Sequence, residues 1–256
     1  MITIQDHDGV RELRLSRPPA NALDPGLIAA LGEAVAAAPH DGARALVLSG
    51  APGMFSAGLD VPQLLTLDRS GIRAVWGSFY GLLRGIAASP VPVAAAITGH
   101  SPAGGAVLSL YCDYRVMATA AEKDFRIGLN EVQVGIPMPI AILRACARLV
   151  GPRQAERLCV GALMVPAAEA ARIGLVDELA PLEQVVERAV AWCRGVTSLP
   201  PIAMARTREA ARADLVRLMD EGLATELDGL VDDWLSAETQ GALRAMVERL
   251  AQKKKG

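Results

Sequence analysis

"ITGHSPAGGAVLSLYCDYR", from Ile97 to Arg115, is an apolar run interrupted by His100, Ser101 and then Pro102-Ala103-Gly104-Gly105. On its N-terminal side, Val91–Gly99 reads as a buried strand, and the residues after Pro102 read as a helix. A strand that passes through small residues into a helix suits two purposes. It can hold a nucleophile on a sharp turn, or it can let the backbone come very close to something. The first purpose fails. Gly99-His100-Ser101-Pro102-Ala103 is one residue short of the G-x-S-x-G elbow, which needs a backbone N–H after its serine. Pro102 has none. All three histidines (His7, His40 and His100) precede Ser101, whereas that elbow's triad places its histidine after the serine. Close backbone approach remains, and His100 reads as a loop residue rather than a base.

Working outward, a second loop of the same kind follows the apolar strand at Arg44–Gly50. It is Phe55-Ser56-Ala57-Gly58-Leu59-Asp60. Small residues let a ligand reach the main chain. Two such loops side by side can aim two N–H groups at one oxygen, as an oxyanion hole does. The helix that starts after Gly104 would add the partial positive charge of its N-terminus. Either loop alone is equally consistent with tight strand–helix packing. A third stretch, "GLNEVQVGIP" (128–137), sets Glu131 between Leu129 and Val132. A carboxylate in apolar surroundings has a raised pKa and is a stronger base. The other reading is a glutamate on a solvent-facing turn.

The rest of the chain frames these loops. Ile2–Gln5 and Val10–Leu15 read as strands around an Asp8-Gly9 turn. Asp24-Pro25 reads as the cap and first residue of a helix that reaches about Ala38. A further helix is expected from about Ser70 to Ala88, a strand at Tyr114–Ala118, and a strand–helix segment around Asn130–Val150. This alternation argues for an α/β protein with a parallel sheet. Short helices follow Gly151, and Leu199-Pro200-Pro201 breaks the chain ahead of an almost wholly helical end. The expected division is a βα core, residues 1–198, and a helical extension, residues 199–256. So short an extension must pack on its own core or on a neighbouring subunit.

Composition excludes several functions. Of 256 residues, 52% are hydrophobic, and the net charge is -2, so there is no basic face for nucleic acid. Lys253-Lys254-Lys255 reads as a solvated tail. Cys112, Cys146, Cys159 and Cys193 are far apart, which suits a reducing compartment. The start of the chain does not read as a targeting peptide, and no apolar stretch reaches membrane-spanning length. The expectation is a cytoplasmic protein without membrane association. No paired metal-ligand motif, phosphate-binding loop or dinucleotide fingerprint occurs, so neither a metal nor a bound cofactor is expected.

The segments "SRPPANALD", "FSAGLD", "PAGGAVLSLYCDYRVMA", "GLNEVQVGI" and "PAAEAARIGLVDE", in this order over nearly the whole chain, resemble the enoyl-CoA hydratase/isomerase (crotonase) superfamily. Within it the likeness is to Δ3,Δ2-enoyl-CoA isomerases of the mitochondrial type. The resemblance implies a crotonase-like ββα spiral core with a C-terminal helical extension that assembles homotrimers or dimers of trimers. It implies an acyl-CoA substrate, with coenzyme A arriving as part of the thioester. Leu59 and Gly104 stand where the family has its oxyanion donors, and Glu131 stands where it has a glutamate. Val107 occupies the position of the second glutamate of hydratases. By the same resemblance, Ala57, Gly58, Leu59 and Asp60 border the adenine end of coenzyme A, Ser56 counts among the substrate- and coenzyme A-binding residues, and Ala20 and Ala22 border pantetheine. Asn130 orients the acyl chain or Glu131, or serves the turn. Arg17 and the C-terminal lysines are candidates for the phosphates. Leu64, Leu65, Trp76 and Tyr80 either line an acyl pocket or belong to the core. Hydration normally uses two carboxylates, whereas double-bond migration needs one base. The implied activity is therefore a 3-enoyl-CoA to 2-enoyl-CoA isomerisation in fatty acid β-oxidation. Hydratase or acyl-CoA hydrolase activity, or acyl-CoA binding without turnover, are the alternatives.

Overall fold

A computed structural model describes residues 1–253. Alternating hydrophobicity at the start of the chain makes a hairpin. β1 (Ile2–His7) and β2 (Val10–Leu15) pair antiparallel, Ile2 opposite Leu15 and His7 opposite Val10. The turn residues Asp8 and Gly9 have φ of 54° and 88°, the left-handed pair that a two-residue hairpin loop needs. Asp24 then caps α1 (Pro25–Ala37), its Oδ1 accepting from the Leu27 amide at 2.7 Å.

From here the chain winds between two sheets, a strand in each and then helix. β3 (Ala45–Ser49) lies parallel to β2, and β4 (Gly53–Met54) opens the second sheet. α2 (Val61–Leu64) and α3 (Arg69–Ala88) follow. β5 (Val93–Ile97) joins β3, and β6 (Gly99–Pro102) joins β4, ahead of α4 (Gly104–Leu110). β7 (Tyr114–Thr119) joins β5, and β8 (Arg126–Gly128) joins β6, ahead of α5 (Ile140–Val150) and α6 (Pro152–Val160). β9 (Met164–Pro166) closes the small sheet, α7 (Ala167–Arg172) follows, and β10 (Glu178–Pro181) completes the large one before α8 (Val185–Thr197). The strand orders are β1-β2-β3-β5-β7-β10 and β4-β6-β8-β9. This is the expected α/β spiral of ββα turns.

Two expectations need correction. His100 and Pro102, read as loop residues, belong to a strand of the second sheet, which begins at Gly99, read as the end of the preceding strand. The strand of the 130–150 segment lies upstream at Arg126–Gly128, and Glu131–Val134 is one turn of 3-10 helix. The second-sheet strands are two to four residues long, too short to show alternation. They form where side chains are missing: a Cβ on Gly99 would lie 2.0 Å from the Gly53 carbonyl carbon.

After Pro200 come α9 (Pro201–Thr225), α10 (Leu227–Leu235) and α11 (Ala237–Lys253). α9 packs on α3 and α5, α10 on α3, and α11 on α2 and the 131–134 turn. The extension thus lies on its own core. A buried ion cluster fixes it. Asp113, after α4, accepts from Arg208 Nη2 at 2.8 Å, faces Arg212 Nη1 at 3.0 Å, and accepts from the Val93 amide at 2.8 Å. Arg212 Nη2 also donates to the Tyr111 carbonyl. Among the described residues no helix is long and apolar enough to cross a membrane, and all four cysteines are buried free thiols. Lys254 and Lys255 lie outside the described residues, as does the side chain of Lys253.

Removing the Asp113 carboxylate leaves two arginines buried without their counter-ion. Asp113→Ala is expected to cost roughly 3–5 kcal/mol, read as a lowered urea midpoint. A loss within about 0.5 kcal/mol, typical of an exposed surface site, would mean that the cluster does not hold the extension in place.

Candidate active site

The first loop is stitched to residues 17–24. Ala57 N donates to the Ala20 carbonyl at 2.9 Å, Leu23 N to the Gly58 carbonyl at 2.8 Å, and Asp60 N to the Leu23 carbonyl at 3.1 Å. Ser56 Oγ donates to the Asn21 carbonyl at 2.8 Å and accepts from Gly58 N at 3.2 Å. Every amide from Ala57 to Asp60 except that of Leu59 is thereby used. Among the described residues, the Leu59 N–H has no acceptor.

The second loop enters α4 through Ala103, whose φ of 47° and ψ of -123° lie in a region that favours glycine. Its own amide donates to the Gly128 carbonyl at 2.8 Å. Gly104 is the first residue of α4, so its N–H has no intrahelical partner, and among the described residues no other acceptor meets it. The two loops touch main chain to main chain. A Cβ on Gly58 (φ 83°) would lie 3.0 Å from Gly104 N. One on Gly104 would lie 3.4 Å from Leu59 N, and one on Gly105 would lie 2.5 Å from the Ser56 carbonyl oxygen. Between the loops, Gly105 leaves no room for a Cβ, and Gly58 and Gly104 leave only a tight fit.

Glu131 begins the 3-10 turn, which ends on Gly135 in the left-handed region (φ 76°). The turn is held from two sides. Gln133 Nε2 donates to the Ala162 carbonyl at 2.9 Å, and Thr239 Oγ1 donates to the Gly135 carbonyl at 2.6 Å. Glu131 is 9% exposed, and its Oε2 has no hydrogen-bond partner among the described residues. Burial pushes its carboxyl up to about 7. Neighbouring Asn130 also has its Oδ1 buried without a partner.

One cavity of about 530 Å³ joins these groups. Ala20, Ala22, Ala57, Leu59, Asp60, Gly104, Val107, Asn130 and Glu131 all line it. Ser56 and Gly58 do not; they shape the loop behind the wall. Arg17 lines it but is not a free cation. Its guanidinium lies 2.5 Å from Asp60 Oδ2 and 3.0 Å from Asp24 Oδ2. Of the four candidate pocket residues, Trp76 lines the cavity, whereas Leu64, Leu65 and Tyr80 do not. Tyr80 is fully buried, edge-on to Trp76 with ring centroids 6.4 Å apart. His100 accepts from Arg126 N at 3.2 Å and packs edge-on to Phe125, away from the cavity wall. The sequence reading missed Phe79, Ile142, Met246 and Leu250, all on the wall. Their apolar spacing matches ordinary core, and nothing in it distinguishes a cavity. A separate cavity of about 600 Å³ between α3 and α9 is lined by alanines and by Arg208 and Arg212, whose guanidiniums are already paired with Asp113.

Two unpaired amide donors and a base titrating near neutrality share one mostly apolar cavity. Such a set can take a proton from a carbon next to a carbonyl and hold the enolate oxygen that forms.

The sequence profile described as enoyl-CoA hydratase/isomerase matches residues 5–255. The chain is 31% identical to human mitochondrial "Enoyl-CoA delta isomerase 1" over 252 residues, covering 96% of this chain and 82% of that protein. It is 32% identical to a "Probable enoyl-CoA hydratase EchA17" of Mycobacterium tuberculosis over 240 residues, covering 91% and 88%. The crystal structure of human mitochondrial delta3-delta2-enoyl-CoA isomerase superposes with a TM-score of 0.93 at 28% identity, covering 99% of both chains. That of an enoyl-CoA hydratase, EchA3, from Mycobacterium ulcerans superposes with a TM-score of 0.82 at 28% identity, covering 91% and 99%.

Folding raises the proton affinity of Glu131 above its unfolded value of 4.5. Between about pH 4.5 and 7 the folded chain therefore holds the extra proton, and stability falls as pH rises through that window. Glu131→Gln removes the buried charge. The variant is expected to match the wild type near pH 4 and to exceed it by on the order of 3 kcal/mol near pH 8, measured by urea denaturation at both pH values. An equal difference at both would mean that the carboxyl is not raised.

Proposed function

From membership of the enoyl-CoA hydratase/isomerase family, to which this chain belongs, we propose that it is a Δ3,Δ2-enoyl-CoA isomerase with a single catalytic base. The observation that carries this reading is the carboxylate inventory of the cavity. Among the described residues two carboxylates line it, Asp60 and Glu131. Asp60 is paired with Arg17. Val107, buried on the wall, stands where a hydratase of the family would carry its second glutamate.

In the proposed reaction, the Glu131 carboxylate removes a proton from C2 of the 3-enoyl thioester. The electron pair left behind delocalises through the carbonyl and the C3=C4 bond. The resulting enolate oxygen accepts from the Leu59 and Gly104 N–H groups, which need no reorganisation because neither has another partner among the described residues. Protonated Glu131 then returns the proton to C4, leaving the double bond at C2=C3, conjugated with the thioester. No water enters the balance, so a second carboxylate has no task. The apolar wall of Trp76, Phe79, Val107, Ile136 and Ile142 suits the acyl chain, and the loop edge at Ala20, Ala22 and Ala57–Asp60 suits the pantetheine and adenine parts. Because Arg17 is neutralised by Asp24 and Asp60, the coenzyme A phosphates are assigned to other cations. Assembly as a homotrimer or dimer of trimers, cytoplasmic location and a place in fatty acid β-oxidation belong to the same proposal. The hydratase-named relatives favour a second reading, hydration of a 2-enoyl thioester by the same site.

Incubation with a trans-3-enoyl-CoA distinguishes the two. Rising ultraviolet absorbance of the conjugated thioester at unchanged mass supports isomerisation, and a product heavier by one water supports hydration. Glu131→Gln is expected to abolish isomerisation while acyl-CoA binding survives; a variant that keeps most of its rate sinks the assignment. In the wild type, kcat/KM is expected to rise with pH to a plateau above about 7, since the base works ionised. Gly104→Ala places a methyl between the donors and is expected to lower kcat by roughly 10²–10³, measured in the same assay.

A further inference from the structure

We propose that Thr239, on α11, is a positioning residue for Glu131, so that the C-terminal helix belongs to the catalytic apparatus. The inference rests on the single-base reading above and adds a residue to it.

The turn that carries Glu131 is four residues of 3-10 helix, a form with poor hydrogen-bond geometry and little stability of its own. What fixes it comes from elsewhere. Thr239 is 2% exposed, and its hydroxyl is held in one orientation. Oγ1 accepts from Ser236 Oγ at 3.0 Å and donates to the Gly135 carbonyl at 2.6 Å. The helix backbone also touches the turn, since a Cβ on Gly135 would lie 3.1 Å from Thr239 Cα. Gly135 N in turn donates to the Glu131 carbonyl. The chain of contacts thus runs Ser236, Thr239, Gly135, Glu131, without a break.

The same helix reaches the cavity. Thr239, Leu243, Met246 and Leu250 follow the three-and-four spacing of one helical stripe. Leu243 is fully buried, and Met246 and Leu250 line the cavity that holds Glu131. One stripe of one helix therefore bears on the catalytic turn at its start and on the ligand space at its end. Glu131 Oε2 has no hydrogen-bond partner among the described residues, and the hydrogen bond that bears on the carboxyl comes from Glu131's own amide, so the carboxylate follows the position of its turn. A displacement of the turn by a fraction of an ångström acts directly on the distance between base and carbon.

The test compares Thr239→Val, which removes the hydroxyl at nearly constant shape, with Thr239→Ser, which keeps it. Thr239→Ala serves as a second hydroxyl-free variant should the valine disturb packing. The hydroxyl-free variants are expected to lose roughly ten- to a hundredfold in kcat with KM within about twofold. Their acid limb should move down from about 7 toward the ordinary carboxylate range, as a loosened turn lets water reach Glu131. Thr239→Ser should recover most of the rate. Wild-type kcat and acid limb in a folded hydroxyl-free variant would overturn the proposal. So would a lower melting temperature with the acid limb unmoved and no recovery by serine, because that pattern belongs to a merely structural contact. Glu131→Gln, run alongside, separates the two levels. If it stays active, the single-base reading falls and this inference with it. If it is dead while Thr239→Val works normally, only the inference falls.

Discussion

The contact on which the rest of the structure depends is between two stretches of bare main chain. The loop at residues 56–59 and the turn at residues 102–105 approach so closely that a side chain at Gly58, Gly104 or Gly105 would press on the opposite backbone. Everything nearby follows from that approach. Ser56 turns its hydroxyl onto the Asn21 carbonyl and accepts from the Gly58 amide. Ala103 takes a conformation that costs on the order of 1–3 kcal/mol, and its amide is secured to the Gly128 carbonyl. That bond fixes the third segment, and with it Glu131, beside the first two. The small sheet exists at this point because β4, β6 and β8 are the rails along which the three segments arrive together.

Charge is sorted with the same economy. Arg17 is enclosed by Asp24 and Asp60, so the loop edge of the cavity holds one cation between two carboxylates. Glu131 stands apart in apolar surroundings, and its raised proton affinity comes from burial rather than from a neighbouring anion. A base poised near neutrality loses little driving force in either direction of proton transfer. Val107 preserves this state, because a carboxylate in its place would add like-charge repulsion to the cost of burial.

The parts of this arrangement differ in how openly the sequence displays them. Five of the six large-sheet strands and the α1 cap could be read. Val10–Leu15 mixes apolar and charged residues as a partly covered strand does, Ala45–Ser49 is an unbroken apolar run buried along its length, and Asp24-Pro25 is a local signal. The four-residue Glu178–Pro181 was not read as a strand. The loops were legible through their glycines, since a missing side chain is itself a mark. β4, β6 and β8 escaped because strands of two to four residues have no period. Arg17 was legible as a cation but not as a neutralised one, for its pairing with Asp60 spans 43 positions. Thr239, Met246 and Leu250 left no trace, because a helix that walls a cavity has the same apolar stripe as a helix that walls a core.

The bond from Thr239 to Gly135 joins residues 104 positions apart, and this has a consequence for the order in which the protein matures. During synthesis the paired glycine loops and Glu131 leave the ribosome long before α11 does. Both sheets can form while the cavity still lacks one wall. Contacts of such long sequence separation close late, after the entropy of the intervening loop has been overcome. The final helix is therefore a completion step, and a ligand that fills the finished cavity binds the completed form in preference to its open precursor. Linkage then favours the completed form by RT ln(1 + L/Kd), where L is the ligand concentration, so its stability grows with the logarithm of that concentration.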